Sequence, residues 1–369
     1  MSPAGLARDE LAAWLRLLET PDIGLASART LLAAFGDPQA VFDAPPAAWR
    51  ELLGPAGADA LGRPPDALTV QLDATWRWLD SDADRSIVTL GDPAYPAAWL
   101  QTADPPLLVY AIGRLALLAA PSIAVVGSRN PTPQGRENAR AFAAEFSRAG
   151  LTVVSGLALG IDGAAHEGAL SGPGSTIAIV GTGLDRVYPK RHLDLARRIA
   201  TDGLLLSEYS LGTPPLAPNF PRRNRLIAGL CRGTLVVEAA LQSGSLITAR
   251  LAAEAGRDVF AIPGSIHAPQ SRGCHALIKE GAKLVDAARD VLDELRFDVP
   301  GPAPLAPPEA SGRGDPLLAA LGHDPVTLDA LSARLGEAPA VLSARLLELE
   351  LQGEVARLPG QLFQRVVRG

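Results

Sequence analysis

Cysteine, lysine and aromatic side chains are scarce in this sequence. Two cysteines, Cys231 and Cys274, are too few for a disulfide framework and do not make a structural zinc site. They fit a chain expected in a reducing compartment. Three lysines (Lys190, Lys279 and Lys283) stand against 31 arginines, a bias that a GC-rich coding sequence produces without any functional demand. A basic overall balance is missing too. The net charge is −6 over 369 residues, which argues against a surface coated evenly with positive charge. No apolar run is long and clean enough for a membrane span. The longest, "LLVYAIGRLALLAAPSIAVVG", is broken by Arg114 and Pro121 and reads as two strands about a turn. Near the N-terminus, Asp9 and Glu10 and the lack of a signal-type apolar core give no expectation of export. Two nucleotide signatures are absent as well. No loop reads G-x-x-x-x-G-K followed by serine or threonine, and the first glycine turn of the central region, "GSRNPT", is not G-x-G-x-x-G. A P-loop NTPase and a standard dinucleotide site are therefore disfavoured.

The charge that is present is unevenly placed. Residues 1–117 carry 8 basic and 15 acidic side chains, residues 118–298 carry 20 and 17, and residues 299–369 carry 6 and 8. Only the middle segment is net positive, so it is the one to search for an anionic partner. With 369 residues, 47 % of them apolar, the chain is long enough for two or three domains with cores of their own.

Residues 1–80 have apolar side chains at helical spacing, and "IGLASARTLLAAFG" is similar to a sterile-alpha-motif or helix-hairpin-helix unit. In a DNA-binding hairpin its glycine amides would approach a phosphate. The acidic balance favours a packing or protein-contact unit. From residue 81 to 298, short strands lead into an alternation of apolar strands ("SIAVVG", "LTVVSG", "STIAIVG", "GLLLSE", "TLVVEA", "DVFAIPG") with amphipathic helices. That pattern specifies a doubly wound, Rossmann-like parallel sheet, whose ligands bind beyond the C-terminal strand ends. Residues 299–315 are rich in proline, alanine and glycine and read as a linker. Residues 316–369 read as three helices and a hairpin about Pro359–Gly360, a winged-helix module. Its third helix carries Arg345 but also Glu348 and Glu350, a poor balance for reading a DNA groove.

The strand ends carry the chemistry. They present Gly127, Ser128 and Arg129; Ser155, Gly156, Gly160 and Asp162; Gly181 and Gly183 with "YPKR" at 188–191; and Ser243, Gly244 and Ser245. Small residues before a helix aim backbone N–H groups and hydroxyls at one point, which is a phosphate cradle. Several on one sheet edge weigh more than one. After "GLLLSE" comes "NFPRRNRLIAGL", where Arg222, Arg223 and Arg225 surround Asn224 behind Phe220 and Pro221. Arginine forks bind phosphate bidentately, and an aromatic face stacks an unpaired base. Glu208 and Glu238 at strand ends are read as partners that order arginines. Asp162 and His166, four apart on a helix, are read as a cap and a packed imidazole, with a catalytic or metal pair as the alternative. His267, Cys274 and His275 lack a fourth metal partner at a convincing spacing, so neither metal nor cofactor is expected.

These stretches also carry a family resemblance. "AVVGSR", "VVSGLALGIDGAAHEGAL", "AIVGTGLDRVYP", "LLLSEY", "NFPRRNRLIAGL", "LVVEAALQSGSLITARLAAEAGRDVFAIPG" and "GCHALIKEGA" occur in order over nearly all of 122–285. In them the chain resembles the bacterial DNA-processing protein A family (DprA, also called Smf). The resemblance implies a cytoplasmic, non-enzymatic protein that binds single-stranded DNA during natural transformation, protects it and helps load a RecA-type recombinase. It also implies a homodimer formed through the α/β domain, with Leu246, Leu251 and Val291 as candidate interface residues. On this reading the groove is lined by Ser128, Arg129, Ser155, Gly156, Lys190, Phe220, Arg222, Arg223, Asn224, Arg225, Ser243, Gly244 and Ser245. Two positions depart from the family's usual asparagines, His192 after "YPKR" and His275 after "GC". The rival is an enzyme resembling nucleoside-monophosphate phosphoribohydrolases, with Glu238 as its acid or base. The sequence lacks the "PGGxGT" turn of those enzymes.

Overall fold

The computed structural model describes residues 6–297, 315–322 and 324–366. The 299–315 linker expectation therefore falls, except for Asp315, outside the described residues. No helix among those described is long and apolar enough to cross a membrane.

Five helices come first: α1 (Arg8–Glu19), α2 (Leu25–Phe35), α3 (Pro38–Asp43), α4 (Pro46–Leu61) and α5 (Leu68–Asp80). Their apolar faces close on Leu11, Trp14, Leu31, Trp49, Leu61 and Leu79. The same cluster takes in Ile87, Leu108 and Tyr110 of the neighbouring sheet, and Trp78 meets Tyr110 edge-on at 5.7 Å between ring centroids. The helical unit is thus packed onto the edge of the sheet.

The sheet has nine strands in the order β1-β2-β6-β5-β4-β3-β7-β8-β9. They are β1 (Arg85–Thr89), β2 (Leu108–Gly113), β3 (Ser122–Val126), β4 (Thr152–Ser155), β5 (Thr176–Ile179), β6 (Leu204–Ser207), β7 (Gly233–Val236), β8 (Asp258–Ala261) and β9 (Lys283–Leu284). Strands β3 to β9 pair in parallel, whereas β1 and β2 extend the sheet antiparallel. The parallel part follows from fully apolar strands, which need cover on both faces. The antiparallel extension was not legible as such, because residues 85–113 are joined by a turn and only one short helix, α6 (Ala97–Leu100). The apolar run of 107–127 is β2, a 3₁₀ turn at Leu115–Ala119 and β3.

Alternation along β3 and β4 sends side chains to opposite faces. Ala124, Val126 and Val154 pack with Leu226, Ile227 and Ala249 of α10 (Asn219–Leu230) and α11 (Ser245–Glu254). Ile123, Val125 and Val153 pack with Phe142, Phe146 and Ala165 of α7 (Pro133–Arg148) and α8 (Ile161–Ala169). The remaining helices are α9 (Leu193–Asp202), α12 (Arg272–Lys279) and α13 (Ala288–Glu294). Val291 is fully buried in the second of these clusters, so it is core rather than an interface candidate.

The C-terminal unit comprises α14 (Pro316–Leu321), β10 (Val326–Thr327), α15 (Leu328–Leu335), α16 (Pro339–Leu351), β11 (Val355–Leu358) and β12 (Leu362–Arg365). Its strands form a separate sheet in the order β10-β12-β11.

Candidate nucleic-acid interface

Beyond the C-terminal end of β3, between the loops that follow β3 and β7 and the exposed end of α10, lies an open groove of about 710 Å³. Ser128, Arg129, Phe220, Arg223, Asn224, Ser243, Gly244 and Ser245 all line it, so residues up to 117 positions apart meet in one place. Val126 and Ile227 floor it, and Tyr188 stands at its side.

The loop after β3 is held from behind. Thr132 caps α7 by accepting from Gly135 N at 2.9 Å, and donates its hydroxyl to Glu238 Oε1 at 2.6 Å. Thr132 N donates to the other oxygen, Glu238 Oε2, at 2.9 Å. Burial raises the Glu238 carboxyl above its ordinary value, and the Thr132 bonds oppose that rise. The expected arginine partner of Glu238 is therefore a threonine and a backbone amide. The result is a fixed "GSRNPT" turn that leaves Arg129 exposed at the groove. The Arg129 guanidinium stands 5.9 Å from the Phe220 ring centroid.

The loop after β4 is braced from below. Gly160 has φ +85, and a Cβ there would lie 2.3 Å from Ser128 O, so only glycine suits the turn into α8. Asp162 Oδ2 accepts from Gly156 N at 3.1 Å, and Arg223 Nη1 donates to Gly156 O at 2.7 Å and also to Ile179 O. A Cβ on Gly156 would strike that guanidinium at 2.4 Å. His166 accepts from Leu157 N at Nε2, 3.3 Å, which places its proton on Nδ1, facing the Thr176 hydroxyl at 2.7 Å. Full burial pushes this imidazole down to about 3, so it is neutral. The Asp162–His166 pair thus supports the β4 loop: His166 is a packed imidazole, whereas Asp162 is not the cap of α8, whose N-cap is Gly160, and accepts instead from Gly156 N and Ala158 N.

Four of the expected contact residues are engaged within the protein. Ser155 is fully buried and donates its hydroxyl to Val125 O at 2.7 Å, while Gly156 has its amide on Asp162 and its carbonyl on Arg223. Both act beneath the groove. Arg223 is 4 % exposed; it lines the floor with its guanidinium committed to two carbonyls, and burial pulls it down to about 10. Arg225 lies behind the groove. Its Nη2 meets Glu208 Oε1 at 2.5 Å and its Nε meets Asp104 Oδ2 at 2.8 Å, and Asp104 in turn meets Arg29 of α2 at 2.6 Å. This ion-pair chain fixes α10, the helix carrying the groove residues, to the helical unit. Lys190 and Arg222 are exposed but lie outside the groove lining.

Opposite Arg129, the turn before α11 is tied to α10 by Asn224 Nδ2 donating to Gly244 O at 3.4 Å. Ser243 and Ser245 hydroxyls lie 2.7 Å apart at the α11 N-terminus. Tyr188 is the residue that the sequence reading missed. Its ring lies 5.6 Å from Phe220 at 37°, and 47 % of it is exposed. The signal was present in "YPKR", an aromatic beside two cations. Among the described residues no cluster of three or more His, Cys, Asp or Glu side chains is placed to hold a metal ion.

The chain that builds this groove is similar to known proteins. The family model described as DNA recombination-mediator protein A matches residues 86–296, and the DprA winged helix domain matches residues 301–361. The chain belongs to the DNA recombination-mediator protein A family. Protein Smf of Escherichia coli K12 is 42 % identical over 299 residues, covering 78 % of this chain and 79 % of that protein. DNA processing protein DprA of Streptococcus pneumoniae R6 is 52 % identical over 206 residues, covering 56 % and 73 %. Among solved structures, DNA processing protein A of S. pneumoniae superposes with a TM-score of 0.67 at 38 % identity, covering 79 % of this chain and 99 % of that one. DNA processing protein A of Helicobacter pylori, described for its single-stranded DNA binding mode, gives 0.53 at 32 % identity over 57 % and 95 %.

His192 and His275, singled out in the sequence, each meet a backbone carbonyl. His192 Nδ1 lies 3.0 Å from Leu157 O, and His275 Nε2 lies 2.9 Å from Gly264 O. An imidazole N–H donates there as an asparagine amide would.

Proposed function

We propose that this member of the DNA recombination-mediator protein A family binds single-stranded DNA in the groove beyond β3. The observation that carries the reading is the convergence of Arg129, the Phe220–Tyr188 ring pair and the α11 N-terminal turn on one groove. An unpaired base stacks on the rings, and flanking phosphates meet the guanidinium and the backbone donors. Ser128, Asn224, Ser243, Gly244 and Ser245 complete the lining, and the exposed Arg222 and Lys190 meet phosphates that leave the groove. Ser155, Gly156, Arg223 and Arg225 hold its shape. The H. pylori relative described by its single-stranded DNA binding mode supports the same ligand class.

The reaction class is binding, not catalysis. Glu238, on which the phosphoribohydrolase alternative rests, has both carboxylate oxygens engaged by Thr132 and is not part of the groove lining. The wider role is protection of incoming single strands during natural transformation and their transfer to a RecA-type recombinase, by a cytoplasmic homodimer. The dimer is supported by the open sheet edge at β9, where Leu284 is 49 % exposed; Leu246 and Leu251 are half-buried.

Titration of fluorescent single- and double-stranded oligonucleotides of equal length tests the ligand. Single strands are expected to bind more tightly, with a log–log salt slope of about −0.7 per phosphate contacted. Equal affinity for duplex, or affinity without salt dependence, overturns the reading. Release of a nucleobase from a nucleoside monophosphate would favour the enzyme alternative.

A further inference from the structure

Two loops carry the ring pair, and they meet before they reach the groove. Tyr188 lies in the loop that follows β5, and Phe220 comes after the loop that leaves β6. Behind the rings these loops are joined by hydrogen bonds. Ser207 Oγ donates to Thr182 O at 2.6 Å, Asn219 Nδ2 donates to Gly181 O at 3.1 Å, and Gly183 N donates to Thr213 O at 3.1 Å. Gly212 N donates to Asp185 Oδ1 at 2.8 Å. The fit is close: a Cβ on Gly181 would lie 3.1 Å from the Phe220 ring, and one on Gly183 would lie 2.7 Å from Ser210 O. The centre of the seam is the turn at 210–213. Thr213 N closes it on Ser210 O at 3.1 Å, the Thr213 hydroxyl donates to the same carbonyl at 2.7 Å, and Gly212 supplies φ +89.

The same turn is held from its other side by the helical unit. The Ser210 hydroxyl donates to Glu19 Oε1, Gln71 Nε2 donates to Leu211 O at 3.4 Å, and Leu211 packs against the helical cluster. Glu19 is the last residue of α1. A carboxylate there faces the negative end of the helix dipole, so its own helix gains nothing from it. What it gains is the charge-assisted bond to the turn.

We propose that Glu19 is a positioning residue for single-strand binding: through Ser210 it fixes the turn from which both groove rings hang and so presets the Phe220–Tyr188 geometry for a base, on the reading of the groove as a base-stacking site. Residues 214–218, which lead from the turn to α10, are exposed, and Tyr188 is exposed as well. Rings on mobile backbone must be ordered when the strand binds, which weakens affinity, and a clamp formed beforehand removes that loss. The Arg225–Asp104–Arg29 chain acts on α10 from a second point of the helical unit. Ties from α1 and α2 thus converge on the segment that presents Phe220, which gives the helical unit a part in DNA binding without a contact to DNA.

Oligo-dT carrying one 2-aminopurine tests this in the full-length chain, because stacking on an aromatic ring quenches that base. Affinity is read from the anisotropy of an end label, and stacking from the quenching at saturation. Glu19→Ala and Ser210→Ala are each expected to weaken binding at least about 5-fold, the low end of coupling between sites, and to leave the bound base brighter. Glu19→Gln keeps an oxygen that accepts from Ser210 and is expected to recover most of both. Arg8→Ala breaks an exposed ion pair to Asp73 within the helical unit and controls for loosening of that unit; it is expected to match the parent. Affinity and quenching like the parent's in Glu19→Ala overturn the proposal, as does an equal loss in Glu19→Gln and Arg8→Ala. Amide exchange of the DNA-free proteins reads the clamp directly. Gly183, Gly212 and Thr213 should exchange faster in Glu19→Ala than in the parent, and unchanged rates overturn the proposal. If the parent binds no oligo-dT, the reading of the groove falls, yet the exchange rates still decide whether Glu19 holds the turn.

Discussion

Arg225→Ala separates the role that the sequence suggests for this residue from the role that the structure gives it. A phosphate-contacting arginine would, on removal, weaken DNA binding and leave stability alone. The structure instead places Arg225 between Glu208 and Asp104, with its side chain 13 % exposed and that of Glu208 9 % exposed. Breaking a buried pair by deleting one partner costs about 3–5 kcal/mol. The low end applies, because Asp104 is 38 % exposed and keeps Arg29. The titration of Glu208 points the same way. Burial already raises the Glu208 carboxyl, and the Arg225 charge is what opposes that rise. Without Arg225, the Glu208 carboxyl is expected to rise further above its ordinary value, which adds to the loss at pH 7. At about 2–4 °C per kcal/mol, a loss of about 3 kcal/mol should lower the melting temperature by roughly 6–12 °C. The sign with pH follows. A group whose folded value is raised loses stability as pH rises, so the deficit of the variant is expected to be smaller at pH 5 than at pH 7. Thermal melts of both proteins at pH 5 and 7 measure this, and Glu208→Gln in the variant background is expected to recover part of the loss at pH 7. A melting temperature within about 2 °C of the parent at pH 7, together with weaker DNA binding, would refute the reasoning and return Arg225 to the contact set.

Arg129→Ala should behave in the opposite way: unchanged melting, but single-strand affinity about 10- to 150-fold weaker, from loss of a charge-assisted contact of about 1.5–3 kcal/mol; normal binding by fluorescence anisotropy would show that Arg129 is not a contact. His166 has its folded value depressed to about 3 by burial, so the unfolded chain binds the extra proton between that value and about 6.5. Stability should therefore fall by up to about 1.4 kcal/mol per unit as pH drops through that window, and urea melts of His166→Gln should show a shallower slope; an identical slope would mean that the ring is charged in the fold. Removing residues 316–369 should leave single-strand binding to short oligonucleotides intact, since the proposed groove lies wholly between Val126 and Thr248; loss of most affinity on truncation would place a binding element in the C-terminal unit.

What was legible in the sequence follows from what each signal encodes. Continuously apolar strands between amphipathic helices fix the doubly wound sheet, and small residues at strand ends mark the edge where ligands sit, because both depend on neighbours in sequence. Ser128, Arg129 and Ser243–Ser245 were found that way. The direction of a side chain on a helix depends instead on what the helix packs against. Arg222, Arg223 and Arg225 read alike as three forks, yet one turn of α10 sends them to three surroundings: Arg222 to solvent, Arg223 under the β4 loop, and Arg225 to a carboxylate on β6's end and another from residue 104. Asp104 is 121 residues away in sequence, and no spacing rule pairs it with Arg225. Glu238 misleads for the same reason. A glutamate at a strand end invites an arginine, but the loop after β3 arrives first with Thr132, whose amide and hydroxyl satisfy both oxygens. A cluster of like cations at a buried helix end is therefore best read as divided labour. Some arginines must anchor the helix through carboxylates and carbonyls, since an unpaired guanidinium cannot be buried, and the ones free to meet an anion are those whose neighbours leave them in water. Here that argument leaves Arg129 and Arg222 as the exposed arginines around the groove, and makes Arg223 and Arg225 the reason that α10 presents Phe220 at all.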